Sequence, residues 1–166
     1  MDNNVVAGVA HVLEEVGFVA LRFNFGGVGA SEGSYGDGRE EQRDVGAAMA
    51  ALATRTPEAL PLAIVGYSFG AWVGTLAARE LPRVARVVAI GPPLVFFDWD
   101  AAATLRQPLA VVVGDRDQYC APDALRRFAA ALRVAVTTIV GADHFFGGRE
   151  REVGEAVLTH LTDGSP

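Results

Sequence analysis

Leu62-Ala63-Ile64-Val65-Gly66-Tyr67-Ser68-Phe69-Gly70 is the stretch on which the architecture turns. Four apolar residues run into Gly-x-Ser-x-Gly, and a helical pattern follows from Ala71 to Leu81. Strand, sharp turn and helix in that order hold a serine in a strained turn with its hydroxyl exposed. Glycines two before and two after Ser68 are expected to let strand and helix pass closely. The five-residue pattern is short and arises by chance, so its weight comes from what surrounds it.

Two later strand ends carry the groups a serine needs. Leu109-Ala110-Val111-Val112-Val113 ends in Gly114-Asp115-Arg116-Asp117. Val136-Thr137-Thr138-Ile139-Val140 ends in Gly141-Ala142-Asp143-His144. A serine hydroxyl is a weak nucleophile and needs a neighbouring base. His144 is the candidate, because His11 and His160 fall within helical patterns. Asp115 and Asp117, two residues apart in the same turn, compete to orient that imidazole. Asp143, next to His144, reads as loop structure. The order serine, acid, histidine places each group just past a strand's carboxyl end, where open α/β sheets carry their chemistry.

Outward from these loops the pattern alternates helix and strand, which predicts a mostly parallel, doubly wound sheet with helices on both faces. Val5, Val9, Val12 and Val16 recur at helical spacing, and Gly17 stops that helix. Residues 18–25 read as a strand, 26–38 as a glycine-rich loop and 39–53 as a helix. Strands are expected over 86–90, 109–113 and 135–140. Pro122 opens a helix, and an amphipathic helix closes the chain over 150–161.

The 166 residues suit one domain, spanning 1–166. A net charge of −6 argues against a nucleic-acid surface. No apolar stretch approaches the roughly 18 residues of a membrane span, and the N-terminus lacks a signal-peptide pattern. A single cysteine, Cys120, excludes an internal disulfide and fits a reducing cytoplasm. Neither a cofactor nor a metal is expected. The run Gly27-Val28-Gly29-Ala30-Ser31-Glu32 lacks the third glycine of a dinucleotide fingerprint and the lysine of a phosphate loop. Cys120 reads as a small packed side chain.

The chain resembles the α/β-hydrolases, and more narrowly the small, lidless bacterial serine esterases. The similar segments are Leu21-Arg22-Phe23-Asn24-Phe25, Gly27 to Gly33, the Ser68 turn, Gly114-Asp115-Arg116-Asp117 and Asp143-His144-Phe145-Phe146. The resemblance implies a triad of Ser68, Asp117 and His144, the acid following the strand as Gly-x-x-Asp. It implies that Phe69 gives its backbone N–H to an oxyanion hole. The implied activity is hydrolysis of small carboxylic esters through an acyl-serine, with peptidase and thioesterase chemistry as neighbours on the same triad. Lids of this fold usually follow the strand after the turn helix, and residues 91–107 leave too little room for one. Tyr67, Pro93, Phe96, Phe97 and Trp99 are then expected to touch substrate, with Phe145 and Phe146 opposite.

One departure from the family is visible. These esterases place three strands and a glycine-rich loop ahead of the first helix, whereas here that helix begins almost at once. Met1-Asp2-Asn3 resembles their internal stretch. The resemblance therefore leads us to expect an N-terminally incomplete, non-catalytic or poorly active form, prone to misfold. A slot would lie between residues 18–25 and the strand entering the Ser68 turn: open, closed by those strands, or filled by another chain.

Overall fold

A computed structural model describes residues 3–162, so Met1 and Asp2 of the stretch above lie outside it. Asn3 accepts from the Val6 backbone N–H with its side chain and so caps α1 (Asn4–Glu15). Gly17, at φ +93°, turns the chain out of that helix. The remaining elements are α2 (Arg39–Ala53), β1 (Leu62–Tyr67), α3 (Phe69–Ala78), β2 (Val84–Ile90), a short 3₁₀ helix (Asp100–Thr104), β3 (Leu109–Gly114), α4 (Pro122–Leu132), β4 (Ala135–Ile139) and α5 (Glu150–Thr162).

The four strands are all parallel and lie in chain order, β1-β2-β3-β4. Parallel strands in sequence order, each joined by a right-handed crossover, put their connections on one face. The packing follows that rule. Ile64, Val73, Ala77 and Val87 pack together under α2 and α3, and Ala89, Val111, Val113 and Cys120 pack toward α4. The opposite face carries Val88, Ile90, Ala110 and Val112 against Val5, Val9, Val153 and Val157 of α1 and α5. Neighbouring positions along β2 and β3 thus feed different cores, which is why both strands read as unbroken apolar runs. This is the parallel sheet with helices on both faces that the pattern predicts, and the α/β-hydrolase-like fold that the resemblance implies.

One expected strand does not form. Residues 18–25 join no ladder, and Phe18, Val19, Leu21 and Phe23 are exposed. Their composition favours an extended chain, but a strand exists only where a neighbour supplies backbone partners. β1 pairs with β2 alone, so the other edge of β1 carries no strand among the described residues. Smaller adjustments concern ends: β2 starts two residues earlier than expected, β4 stops one earlier, and α3 begins at Phe69 and ends at Ala78. Residues 91–107 hold turns and the short 3₁₀ helix, with no lid domain.

Candidate active site

The three candidate residues come from three strand ends. Ser68 follows β1 directly, at φ 52° and ψ −120°, a region that L-residues rarely occupy. The turn is tight because strand and helix nearly touch: a Cβ on Gly66 would collide with the Gly70 carbonyl and lie 2.7 Å from the Ala71 Cα. The second glycine differs from expectation. A Cβ on Gly70 would meet only Phe25, at 3.9 Å. The close approach is therefore enforced at Gly66 alone.

Asp117 lies in the turn after β3, and His144 in the loop after β4. His144 Nδ1 donates to Asp117 Oδ2 over 2.9 Å, and its Nε2 lies 2.9 Å from Ser68 Oγ. A carboxylate can only accept, so the proton sits on Nδ1 and Nε2 is left to accept from the serine hydroxyl. His144 and Asp117 are both buried. The second Asp117 oxygen accepts from the Tyr119 backbone N–H at 2.8 Å, leaving neither oxygen idle. Asp115 points elsewhere and accepts from the Gly141 backbone N–H at 2.7 Å. Asp143 accepts from the Phe145 backbone N–H within its own loop.

Phe69 is the first residue of α3, whose leading N–H groups have no acceptor inside the helix and whose dipole favours negative charge there. Its ring lies among Phe25, Tyr35, Trp72 and Phe97, at centroid distances of 5.6–5.9 Å.

The expected substrate-facing set divides. Phe96 (63% exposed) and Phe145 (55% exposed) are open to solvent beside the triad. Phe96 packs on Tyr119 and Phe145 edges against His144, 5.7 Å away. Phe97 stacks on Trp72 at 4.5 Å. Pro93 is buried in the turn after β2. Trp99 and Phe146, however, are core residues: Trp99 packs edge-on against Phe128 of α4, and Phe146 is fully buried. Large aromatic rings bury too much area to stand free when a core is within reach. Tyr67 turns its hydroxyl to the protein and donates to the His144 carbonyl at 3.1 Å.

Two contacts have no signal in the sequence. The Tyr119 ring stands edge-on to His144 at 4.6 Å. Gly91, at φ +52°, passes so close that a Cβ would lie 3.2 Å from Asp117 Oδ2 and 3.3 Å from His144 Nδ1. The Gly91-Pro92-Pro93 triplet announces a turn, but nothing in it tells what the turn faces. Cys120 is buried, and burial followed by the nearby Asp117 charge pushes its thiol up to about 12, so it stays protonated and unreactive.

A serine in a left-handed strand-to-helix turn, with acid and histidine brought in from later strand ends of a parallel sheet, defines the α/β-hydrolase class of fold. The chain belongs to the alpha/beta hydrolase domain family, whose match spans residues 1–163. An uncharacterized protein of Rickettsia prowazekii is 32% identical over 171 residues, covering 97% of this chain and 72% of that protein. An alpha-beta serine hydrolase homologue from Coxiella burnetii superposes with a TM-score of 0.88 at 30% identity, over 98% of this chain and 78% of its own. A lidless serine hydrolase from Xanthomonas campestris gives 0.84 at 28% identity, over 100% and 77%.

Proposed function

We propose that this protein hydrolyses small carboxylic esters through an acyl-serine intermediate. The observation that carries the reading is the unbroken hydrogen-bonded chain from Ser68 through His144 to Asp117. Ser68 Oγ attacks the ester carbonyl carbon while His144 Nε2 takes its proton. The carbonyl electrons move onto oxygen, and the Phe69 N–H at the start of α3 faces that developing charge. Collapse expels the alcohol, which leaves with the proton from His144. Water then attacks the acyl-serine, again giving a proton to His144, and the acid departs as Ser68 regains it. Asp117 holds the tautomer and offsets the charge on the imidazolium.

The exposed ring of Phe145 stands edge-on to His144, and that of Phe96 packs on Tyr119, which itself meets His144; together they would supply a shallow apolar wall suited to short acyl chains. The test is fluorophosphonate labelling with hydrolysis of p-nitrophenyl esters of C2 to C12 acids. Ser68→Ala should remove labelling and lower turnover on the order of 10⁴-fold or more, with the wild type fastest on short acyl groups. Equal labelling of wild type and Ser68→Ala would falsify the assignment of the nucleophile. Absence of labelling in the folded wild type would favour a non-catalytic member of the family.

A further inference from the structure

We infer that Tyr67 is a positioning residue, clamping the histidine loop to the nucleophile turn. The inference rests on reading Ser68, His144 and Asp117 as a catalytic triad.

The need for a clamp follows from where His144 sits. Residues 140–149 belong to no helix or strand, so no ladder fixes them. The loop is tied at its start, where Asp115 accepts from Gly141 N–H and Arg116 N–H donates to the Ala142 carbonyl. Both ties hold the loop to the end of β3, the strand that carries Asp117. Neither fixes it relative to Ser68, which rides on β1. Among the described residues, the one hydrogen bond to the His144 backbone comes from Tyr67, whose hydroxyl donates to its carbonyl at 3.1 Å.

Tyr67 is the residue before Ser68, 77 positions from His144. The bond therefore joins the nucleophile's own turn to the base's own residue. The ring adds two contacts: it tilts over the His144 imidazole at 5.4 Å and meets the Phe146 ring edge-on at 6.4 Å. Phe146 sits at φ 51°, an uncommon conformation for a bulky residue, and is wholly buried. A turn held in such a conformation persists only when its surroundings over-determine it. Tyr67 supplies two of those determinants, one polar at His144 and one apolar at Phe146. Burial, reinforced by the Asp117 charge, raises the tyrosine to about 12, so the hydroxyl keeps its proton across neutral and mildly alkaline solution.

Tyr67→Phe keeps the ring and removes only the hydroxyl. On p-nitrophenyl acetate, kcat should fall about 10–100-fold, the range in which small misplacements act, with KM within about twofold. The low-field proton resonance of His144 Nδ1–H should broaden or vanish, while the unfolding temperature stays close to wild type. Unchanged kcat with an unchanged low-field proton would overturn the inference. So would a lower unfolding temperature with undiminished kcat per folded molecule, which marks a structural role only. Should the wild type neither label nor hydrolyse, the hydrolase reading fails, but the clamp is still tested. The low-field proton is then read without substrate: lost in Tyr67→Phe, the clamp stands; kept, it falls.

Discussion

Asp115 and Asp117 stand two residues apart, a spacing that in a regular strand would put both on one face, so alternation alone cannot say which of them reaches His144. The structure gives Asp117 the imidazole and Asp115 the Gly141 N–H. On the proposed function, Asp117→Asn should lower kcat/KM on the order of 10⁴-fold by leaving the histidine in the wrong tautomer. Asp115→Asn keeps an acceptor for Gly141, so its loss should be far smaller. Kinetics of the two purified variants check this, and the reverse ranking would mean that the acid is misassigned. Gly91 offers a separate probe. Alanine there must adopt a left-handed conformation, at about 1–2 kcal/mol, and its methyl would press on both partners of the Asp117 to His144 bond. Gly91→Ala should therefore cut turnover on the order of 10–100-fold, measured beside its melting temperature to separate site damage from unfolding.

At the scale of elements, α2 does more than cover the sheet. Its first two turns hold the glycine loop at both ends. Asp44 accepts from Gly26 N–H at 2.8 Å, and Glu41 accepts from Gly36 and Gly38 N–H at 2.9 and 2.8 Å. The loop in turn lays Tyr35 against Phe69, at the start of α3. Glu41 is 1% exposed. Burial by itself raises its carboxyl, but the N–H groups of Gly36, Glu41 and Gly38 outweigh that and hold it below the ordinary 4.5. A carboxylate depressed in the folded state contributes stability that is complete above 4.5 and is lost as pH falls through the lower folded value. Glu41→Gln should lose about 1–3 kcal/mol at neutral pH, and its stability should fall less steeply than the wild type's in acid. Chemical denaturation of both proteins from pH 7 to pH 3 reads this directly; parallel curves would show that Glu41 is not the acid-sensitive group.

At the scale of the molecule, the sheet ends at β1 on one side and β4 on the other among the described residues, and β1 is the edge that carries Ser68. Leu62 N–H and Ser68 N–H bond to the carbonyls of Arg83 and Ile90, so even positions face β2. The main-chain groups of Ala63, Val65 and Tyr67 therefore face the open side. An unpaired edge beside helix-covered faces invites pairing with another chain, and Phe18, Val19, Leu21 and Phe23 add exposed apolar area. Sedimentation velocity across a wide concentration range should show self-association, reduced in Val19→Lys with no change in melting temperature. A wild type that remains monomeric throughout would show that the edge is adequately protected.

What the sequence by itself determined is what local chemistry controls. Helical spacing in α1, the proline at the head of α4, the strand–Gly-x-Ser-x-Gly–helix order and the placement of Asp117 and His144 after later strands are all written in short windows. The helices depend on contacts three or four residues away, and a residue's position past a strand end depends only on chain order. Tertiary structure decided whatever needs a partner from far along the chain. Residues 18–25 have a strand's composition but no ladder, because pairing belongs to two segments and not to one. Phe145 and Phe146 are neighbours in sequence, yet one faces solvent beside His144 and the other is sealed in the core. The left-handed turn at Phe146, held by Tyr67 from 79 residues before it, makes that choice. No window of sequence contains both residues, so only the folded chain sets the imidazole's place.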